Sequence, residues 1–404
     1  MIRKGALEAF RARELNSYSW MKKLNEDDLL QELKKFKVRP QFKTEPWIHQ
    51  LVCFMIGMVE PRFLFLLDMG LGKTKLMLDL MTQAQREKKL MRALVTVPRL
   101  VNLGSWESDI ILHSDLGPNL CQGSIEEKWE HLINPQGDVS IIDYPGLQLA
   151  LSSKVKGDKG KQKLVRDDKK LRQLSKIYNY ISIDESQKAR NRDTLRFGIL
   201  HQLTKQADFV YSTTGTLFGR DVESIWPQFY LVDQGDTFGA TLGMFRSAYM
   251  REVSDYWKGS TWEFDKHKAR DLYRALQHRS IRYDESECDS LPECQRVAVK
   301  VRLIGEQQAH YLRAVDGVIN ASGKLKDLDG AWLRMRQIVA GFLSWKDEYG
   351  PHEIRFKENP KLDAIERIVE ESGDSKVVIS HEYTTSGLLI GERLTALGYK
   401  FEWL

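Results

Sequence analysis

The chain has 404 residues, 42% of them hydrophobic and 29% charged, with a formal net charge of +5. That is enough apolar material for two or three cored domains, and it excludes whole-chain disorder. The longest apolar stretch, Leu51 to Val59, runs directly into Glu60, Pro61 and Arg62, far short of the roughly 20 apolar residues of a membrane span.

The N-terminus carries no secretory apolar core, so an intracellular protein and no membrane partner are expected. Cys53, Cys121, Cys288 and Cys294 are scattered, none at the two-residue spacing of a zinc or redox motif, and neither a structural metal nor a disulfide is expected.

Residues 1–42 are charged, with Leu29, Leu30, Leu33 and Phe36 at helical spacing, and read as a helical N-terminal extension ending at Arg39-Pro40. From 43 to 235, short apolar runs at 63–67, 93–97, 139–143, 180–184 and 209–213 alternate with helical patterns such as Lys73 to Gln83 and Leu195 to Leu203. Near-continuous apolar strands separated by helices predict an α/β lobe with a parallel sheet covered on both faces.

Within that lobe, residues 154–176 hold ten Lys or Arg and three Asp, a local charge of +7 that exceeds the surplus of the whole chain. Two readings stand for this segment: a solvated loop, or a phosphate-tracking loop in which Lys159, Lys161 and Lys163 contact nucleic acid.

Residues 236–294 are rich in aromatic and charged side chains and read as a mainly helical insertion. Beyond it, a strand at 296–303, helices at 306–320, 331–344 and 361–371, a strand at 377–380 and a helix at 387–397 predict the opening of a second α/β lobe over 295–404. About three strands are countable there, against the five or so of a closed lobe, so that lobe is expected to be incomplete.

The chemistry begins at Phe63 to Met81, a strand, a glycine-bearing loop and a helix in succession. Gly70 and Gly72 permit the tight turn that aims amide hydrogens at phosphate oxygens, Lys73 can reach the β- and γ-phosphates, and Thr74 can ligate Mg²⁺. Leu67 stands where the strict motif has its first glycine, leaving G-x-G-K-T.

Downstream, Asp184 and Glu185 close the apolar run YISID. At the carboxyl end of a strand in the same lobe, Asp184 suits Mg²⁺ coordination and Glu185 suits activation of a water.

These residues resemble superfamily 2 helicases, and within them the Swi/Snf-related branch of bacterial or phage type. Leu67-Asp68-Met69-Gly70-Leu71-Gly72-Lys73-Thr74 is similar to that branch's phosphate loop, and Asp184-Glu185-Ser186-Gln187 to its D-E-x-H. The resemblance extends over about 43–404 and implies an α/β fold of two RecA-like lobes around a helical insertion.

It implies ATP and Mg²⁺ as ligands, bound by Gln50 (at the adenine), Met69, Gly70, Leu71, Gly72, Lys73, Thr74, Asp184, Glu185 and Gln187. It implies nucleic-acid contact near Arg99, in the segment ending in Trp106-Glu107, and at the similar segment 141–151. It implies coupling through Thr214-Gly215-Thr216, where Leu217 replaces the family's proline. The family's late arginine motifs fall after the point where this sequence stops, so weak turnover by the chain alone is expected.

Three functions follow: a translocase on double-stranded DNA, a strand-separating DNA or RNA helicase, or a nucleotide-gated module that binds DNA or a protein partner with little turnover. The setting the resemblance implies is a bacterial or phage-infected cytoplasm.

Overall fold

The computed structural model describes residues 15–156, 162–218, 221–255, 259–288, 295–320 and 325–403. The chain divides into two compact units, Met1–Pro292 and Glu293–Leu404.

In the first unit, helix α1 (Glu26–Leu33) is capped by Asn25, whose side chain accepts from the Asp28 amide, and it buries Leu29 and Leu33. Helix α2 (Ile48–Val59) and strand β1 (Arg62–Leu67) lead into the glycine-bearing loop and α3 (Lys73–Arg86). Then follow β2 (Ala93–Val97), α4 (Asn102–His113), β3 (Pro118–Leu120), α5 (Ile125–Ile133), β4 (Val139–Asp143) and α6 (Tyr144–Ala150).

An antiparallel hairpin, β5 (Ser152–Lys156) and β6 (Gln162–Arg166), carries the basic segment outside the main sheet. The series continues with α7 (Asp168–Leu174), β7 (Tyr180–Asp184), α8 (Leu195–Gln206), β8 (Phe209–Thr214), α9 (Ile225–Asp233) and α10 (Leu242–Tyr249). A second hairpin, β9 (Met250–Asp255) and β10 (Gly259–Phe264), precedes α11 (Ala269–Arg279) and β11 (Ser280–Tyr283).

Seven strands form one parallel sheet in the order β11-β1-β8-β7-β2-β4-β3. Alternate residues of β1 serve opposite faces: Leu64 and Leu66 join one buried cluster, Phe63, Phe65 and Leu67 the other. A sheet buried on both sides needs apolar residues at every position, which is why the strands read as unbroken apolar runs. Because all seven strands are parallel, their carboxyl ends line one edge, and the candidate residues at 67–74, 97–99, 184–187 and 213–216 collect there.

The five predicted strands of this lobe are present. The stretch 236–294 holds strands among its described residues beside the helices α10 and α11. It contains a hairpin, and its last strand, β11, joins the main sheet beside β1. Arg279, at the end of α11, pairs with Glu60 and lies 2.9 Å from Asp236, fastening this return.

In the second unit, α12 (Gly305–Asn320) and α13 (Leu325–Val339) are followed by an antiparallel hairpin, β12 (Phe342–Asp347) and β13 (Gly350–Arg355). Helices α14 (Pro360–Glu371) and α15 (Thr384–Ala396) complete it. The expected strands at 296–303 and 377–380 form no ladder, leaving Val297 and Val378 each 81% exposed. A β-pattern becomes a strand only where a neighbour supplies the ladder, and here none of the described residues does. The helix expected over 331–344 ends at Val339, because Gly341 at φ +96° starts the hairpin.

Candidate functional site

The glycine-bearing loop is shaped by two left-handed residues, Gly70 at φ +83° and Gly72 at φ +69°. A Cβ on Gly72 would stand 2.1 Å from Gln50 Nε2, so a side chain here meets both a left-handed backbone and a displaced Gln50 amide. Gly72 caps α3, so the helix's free amides and positive dipole end face the loop. Met69 is 82% exposed at the loop tip, whereas the Leu71 side chain is fully buried and anchors it.

The segment before the loop holds it in place. His49 Nε2 lies 2.9 Å from the Leu71 carbonyl, and Gln50 Nε2 donates to the Leu71 and Gly72 carbonyls at 3.3 and 3.4 Å. Gln50 Oε1 accepts from the Trp47 amide at 2.9 Å. Burial holds the His49 pKa below the usual histidine range, so the ring is a neutral donor. The resemblance implies that Gln50 reads an adenine edge, but here both ends of its buried amide are engaged by the protein's own backbone.

Lys73 Nζ donates to the Leu67 carbonyl at 3.2 Å and lies 3.4 Å from Glu185 Oε1. Glu185 occupies a left-handed conformation, φ +51°, unusual for a residue with a Cβ and a sign of a local constraint. Its Oε2 accepts from Gln187 Nε2 at 2.6 Å, and Gln187 Oε1 accepts from Thr214 Oγ1, also at 2.6 Å. Thr214 Oγ1 in turn accepts from the Thr216 amide at 3.1 Å. One chain of polar contacts therefore joins the loop lysine, the strand-end carboxylate and the Thr-Gly-Thr turn, three segments far apart in sequence. Gly215 abuts the same place: a Cβ there would meet the Leu67 carbonyl at 3.3 Å and Lys73 Nζ at 3.7 Å.

Asp184 is held at both carboxylate oxygens, Oδ1 by Thr213 Oγ1 at 2.9 Å and Oδ2 by Trp106 Nε1 at 3.4 Å. Its own carbonyl accepts from Tyr144 Oη at 2.6 Å. Burial raises the Asp184 pKa, opposed chiefly by the Thr213 hydrogen bond. A cation nearby would favour the ionised form.

The Thr74 hydroxyl and the Asp184 carboxylate are hard oxygen donors of the kind Mg²⁺ takes. Among the described residues no group of three or more His, Cys, Asp or Glu could hold a metal alone. Mg²⁺ in phosphoryl-transfer sites takes one or two protein oxygens and completes its shell with phosphate and water, which is the donor set available here.

Arg99 is exposed just after β2, its amide donating to Asn102 Oδ1 at 3.0 Å. Lys163 is exposed on β6, away from the strand-end cluster in sequence and outside the main sheet, while Lys159 and Lys161 lie outside the described residues. Part of the basic segment is spent on structure: Arg166 pairs with Asp168 at 2.6 Å, and Lys170 donates to the Ala150 carbonyl at 2.8 Å.

His49, Tyr144 and Thr213 belong to the site although none of the three is singled out as a candidate by the sequence. Trp106 falls in the Trp-Glu segment and Thr213 directly precedes the Thr-Gly-Thr turn, but nothing local marks either as a partner of Asp184.

A parallel sheet with a phosphate loop, a strand-end Asp-Glu pair and a Thr-Gly-Thr turn gathered on one edge defines a RecA-like lobe of the superfamily 2 helicase class. A family model for the SNF2-related domain matches residues 47–347, and the chain belongs to that family.

Protein p41 of Acyrthosiphon pisum secondary endosymbiont phage 1 is 25% identical over 177 residues, covering 42% of this chain and 37% of that protein. The match thus spans little more than a third of that relative. Among solved structures, the Sulfolobus solfataricus SWI2/SNF2 ATPase core in complex with dsDNA aligns with a TM-score of 0.50 at 21% identity. The alignment covers 90% of this chain and 73% of that one, a likeness of fold. The same Sulfolobus core domain alone aligns with a TM-score of 0.47 at 21% identity, covering 90% and 72%. No helix among the described residues is long and apolar enough to cross a membrane.

Proposed function

We propose that this chain is an ATP-dependent nucleic-acid motor that moves along double-stranded DNA. The observation that carries the reading is the continuous polar series Lys73–Glu185–Gln187–Thr214–Thr216. It gives the nucleotide site a direct mechanical connection to the turn that couples to the nucleic acid in the family this chain resembles. Membership of the SNF2-related family and a Sulfolobus structural neighbour described as bound to dsDNA support duplex over single strands.

In this reading the amides of the 70–72 loop and Lys73 bind the ATP phosphates, and the Lys73 ammonium shifts from Glu185 toward the β- and γ-phosphates. Glu185, released, orients the attacking water and accepts its proton. Thr74 and Asp184 would hold Mg²⁺, which when bound neutralises charge on the phosphates. Gln187 passes any shift of Glu185 to Thr214. Arg99 and the basic segment at 154–176, including Lys159, Lys161 and Lys163, contact the DNA backbone.

The test is steady-state ATP hydrolysis by the chain with no nucleic acid, single-stranded DNA, RNA and duplex DNA. Turnover stimulated most by duplex is expected. Preference for single strands would favour strand separation, and nucleotide binding without turnover under any condition would favour a nucleotide-gated binding module.

A further inference from the structure

We infer that Trp106 is a positioning residue that ties the Arg99 loop to the metal-binding carboxylate, so that DNA engaged at that loop changes how firmly Mg²⁺ and ATP are held together. The inference rests on the function proposed above.

A buried Trp ordinarily fills space, and its N–H settles on whatever acceptor is near. Trp106 is 3% exposed, but the acceptor of its indole N–H is Asp184 Oδ2, at 3.4 Å, across 78 positions of sequence. The other oxygen of that carboxylate is held by Thr213, at the end of β8 directly before the Thr-Gly-Thr turn. Asp184 is thus held at both oxygens by donors from two separate segments, the helix α4 and the end of strand β8. Both donors are neutral, so they fix the plane of the carboxylate without competing for its charge.

Trp106 sits in the second turn of α4, and the start of that helix is fastened to the Arg99 loop by reciprocal bonds. The Arg99 amide donates to Asn102 Oδ1 and the Asn102 amide donates to the Arg99 carbonyl, both at 3.0 Å. Arg99 itself is exposed, with Leu100 and Val101 at 51% and 57% exposure beside it. A loop open to solvent on one side, rigidly joined to a helix whose indole ends on a buried carboxylate, transmits displacement. A shift of the loop moves the indole, and the carboxylate loses or gains one of its two restraints.

Such coupling is reciprocal in binding free energy. If duplex DNA tightens the binding of a Mg²⁺-bound ATP analogue, that analogue tightens the binding of DNA by the same factor.

The experiment measures the affinity of a non-hydrolysable ATP analogue with and without saturating short duplex DNA, in Mg²⁺ and again in EDTA. Wild type is expected to show a Mg²⁺-dependent coupling factor in the range of about 5 to 150 typical of linked sites. In Trp106→Phe, which keeps an aromatic ring and loses the N–H, the factor should fall to within about twofold of one. The factor is a ratio of affinities, so a uniform change in the variant's affinity for the analogue or for DNA cancels from it. Asn102→Ala cuts the loop from the helix while leaving the indole in place, and should lower the factor in the same direction. It also stands as the deciding variant if Trp106→Phe does not fold.

Full coupling retained in the folded Trp106→Phe protein, or in Asn102→Ala where that protein does not fold, would overturn the brace and leave the proposed function standing. A wild-type chain that binds neither the analogue nor DNA overturns the proposed function, and the brace with it.

Discussion

Lys73 and Glu185 face each other across 3.4 Å, yet their assigned tasks differ, and substitution separates them. Lys73→Ala removes the ammonium that the phosphates require and is expected to abolish measurable ATP binding in equilibrium dialysis. Glu185→Gln keeps the shape of the side chain and cannot take a proton. Binding should persist while hydrolysis falls by on the order of 10² to 10⁴. Equal ATP affinity in wild type and Lys73→Ala would sink the phosphate-loop assignment.

A second residue-scale consequence lies on α3, behind the loop, where Asp79 and Lys75 form a buried ion pair at 2.6 Å. Burial raises the Asp79 pKa to about 6, against the lowering pull of Lys75. A carboxyl whose folded pKa lies above its unfolded one favours the folded state when protonated. Its contribution is full below about pH 4 and is lost as pH rises to about 6. Asp79→Asn cannot titrate, so the stability advantage of wild type over this variant should shrink by about 1 kcal/mol between pH 5 and pH 7. Urea unfolding at the two pH values measures it, and an advantage that grows with pH would contradict the assignment.

At the scale of elements, the phosphate loop is a backbone device, and Gly72 shows how little slack it has. Gly72→Ala meets both a left-handed φ and Gln50 Nε2 at 2.1 Å. It is expected to cost about 1 to 3 kcal/mol of stability and to displace the loop. Gly104→Ala, on α4 with nothing within 4 Å of the added carbon, is the contrast. It should be neutral or stabilising by up to about 1 kcal/mol, because alanine is the better helix former.

The basic segment 154–176 is the other stretch with a measurable signature. If Lys159, Lys161 and Lys163 meet phosphates, replacing all three by Ala lowers the slope of log binding constant against log salt by about 0.9 for each phosphate no longer neutralised. An unchanged slope would leave the basic segment as a solvated loop.

Across the whole molecule, the candidate site draws on residues from segments 47–50, 67–74, 106, 144, 184–187 and 213–216, all within the first compact unit. No one of these segments makes the site. Nucleotide binding should therefore register as cooperative stabilisation, about 2.7 kcal/mol at a ligand concentration of 100 Kd. Amide exchange should slow together in loops distant in sequence, at 68–74, 184–187 and 213–216. Slowing confined to 68–74 would show that the polar series does not act as a unit.

The features legible in the sequence are those whose information is local. A strand buried on both faces must be apolar at every position, so β1, β2, β4, β7 and β8 announce themselves. The loop needs glycine at positive φ and a lysine directly after it, so Gly70, Gly72 and Lys73 mark it within a few residues. What only the tertiary structure decided depends on partners remote in sequence. Trp106 and Thr213 become restraints on Asp184 only when β7 lies between β2 and β8. Gln187 bridges Glu185 and Thr214 only because Thr214 stands opposite it, and Gln50 clamps the loop because α2 packs beside it. The short run at 280–283 is a strand because β1 offers it an edge, and the longer valine-rich run at 296–303 is not, because none of the described residues does. Hydrogen bonds between strands and between side chains are properties of pairs, and pairing is settled by the fold.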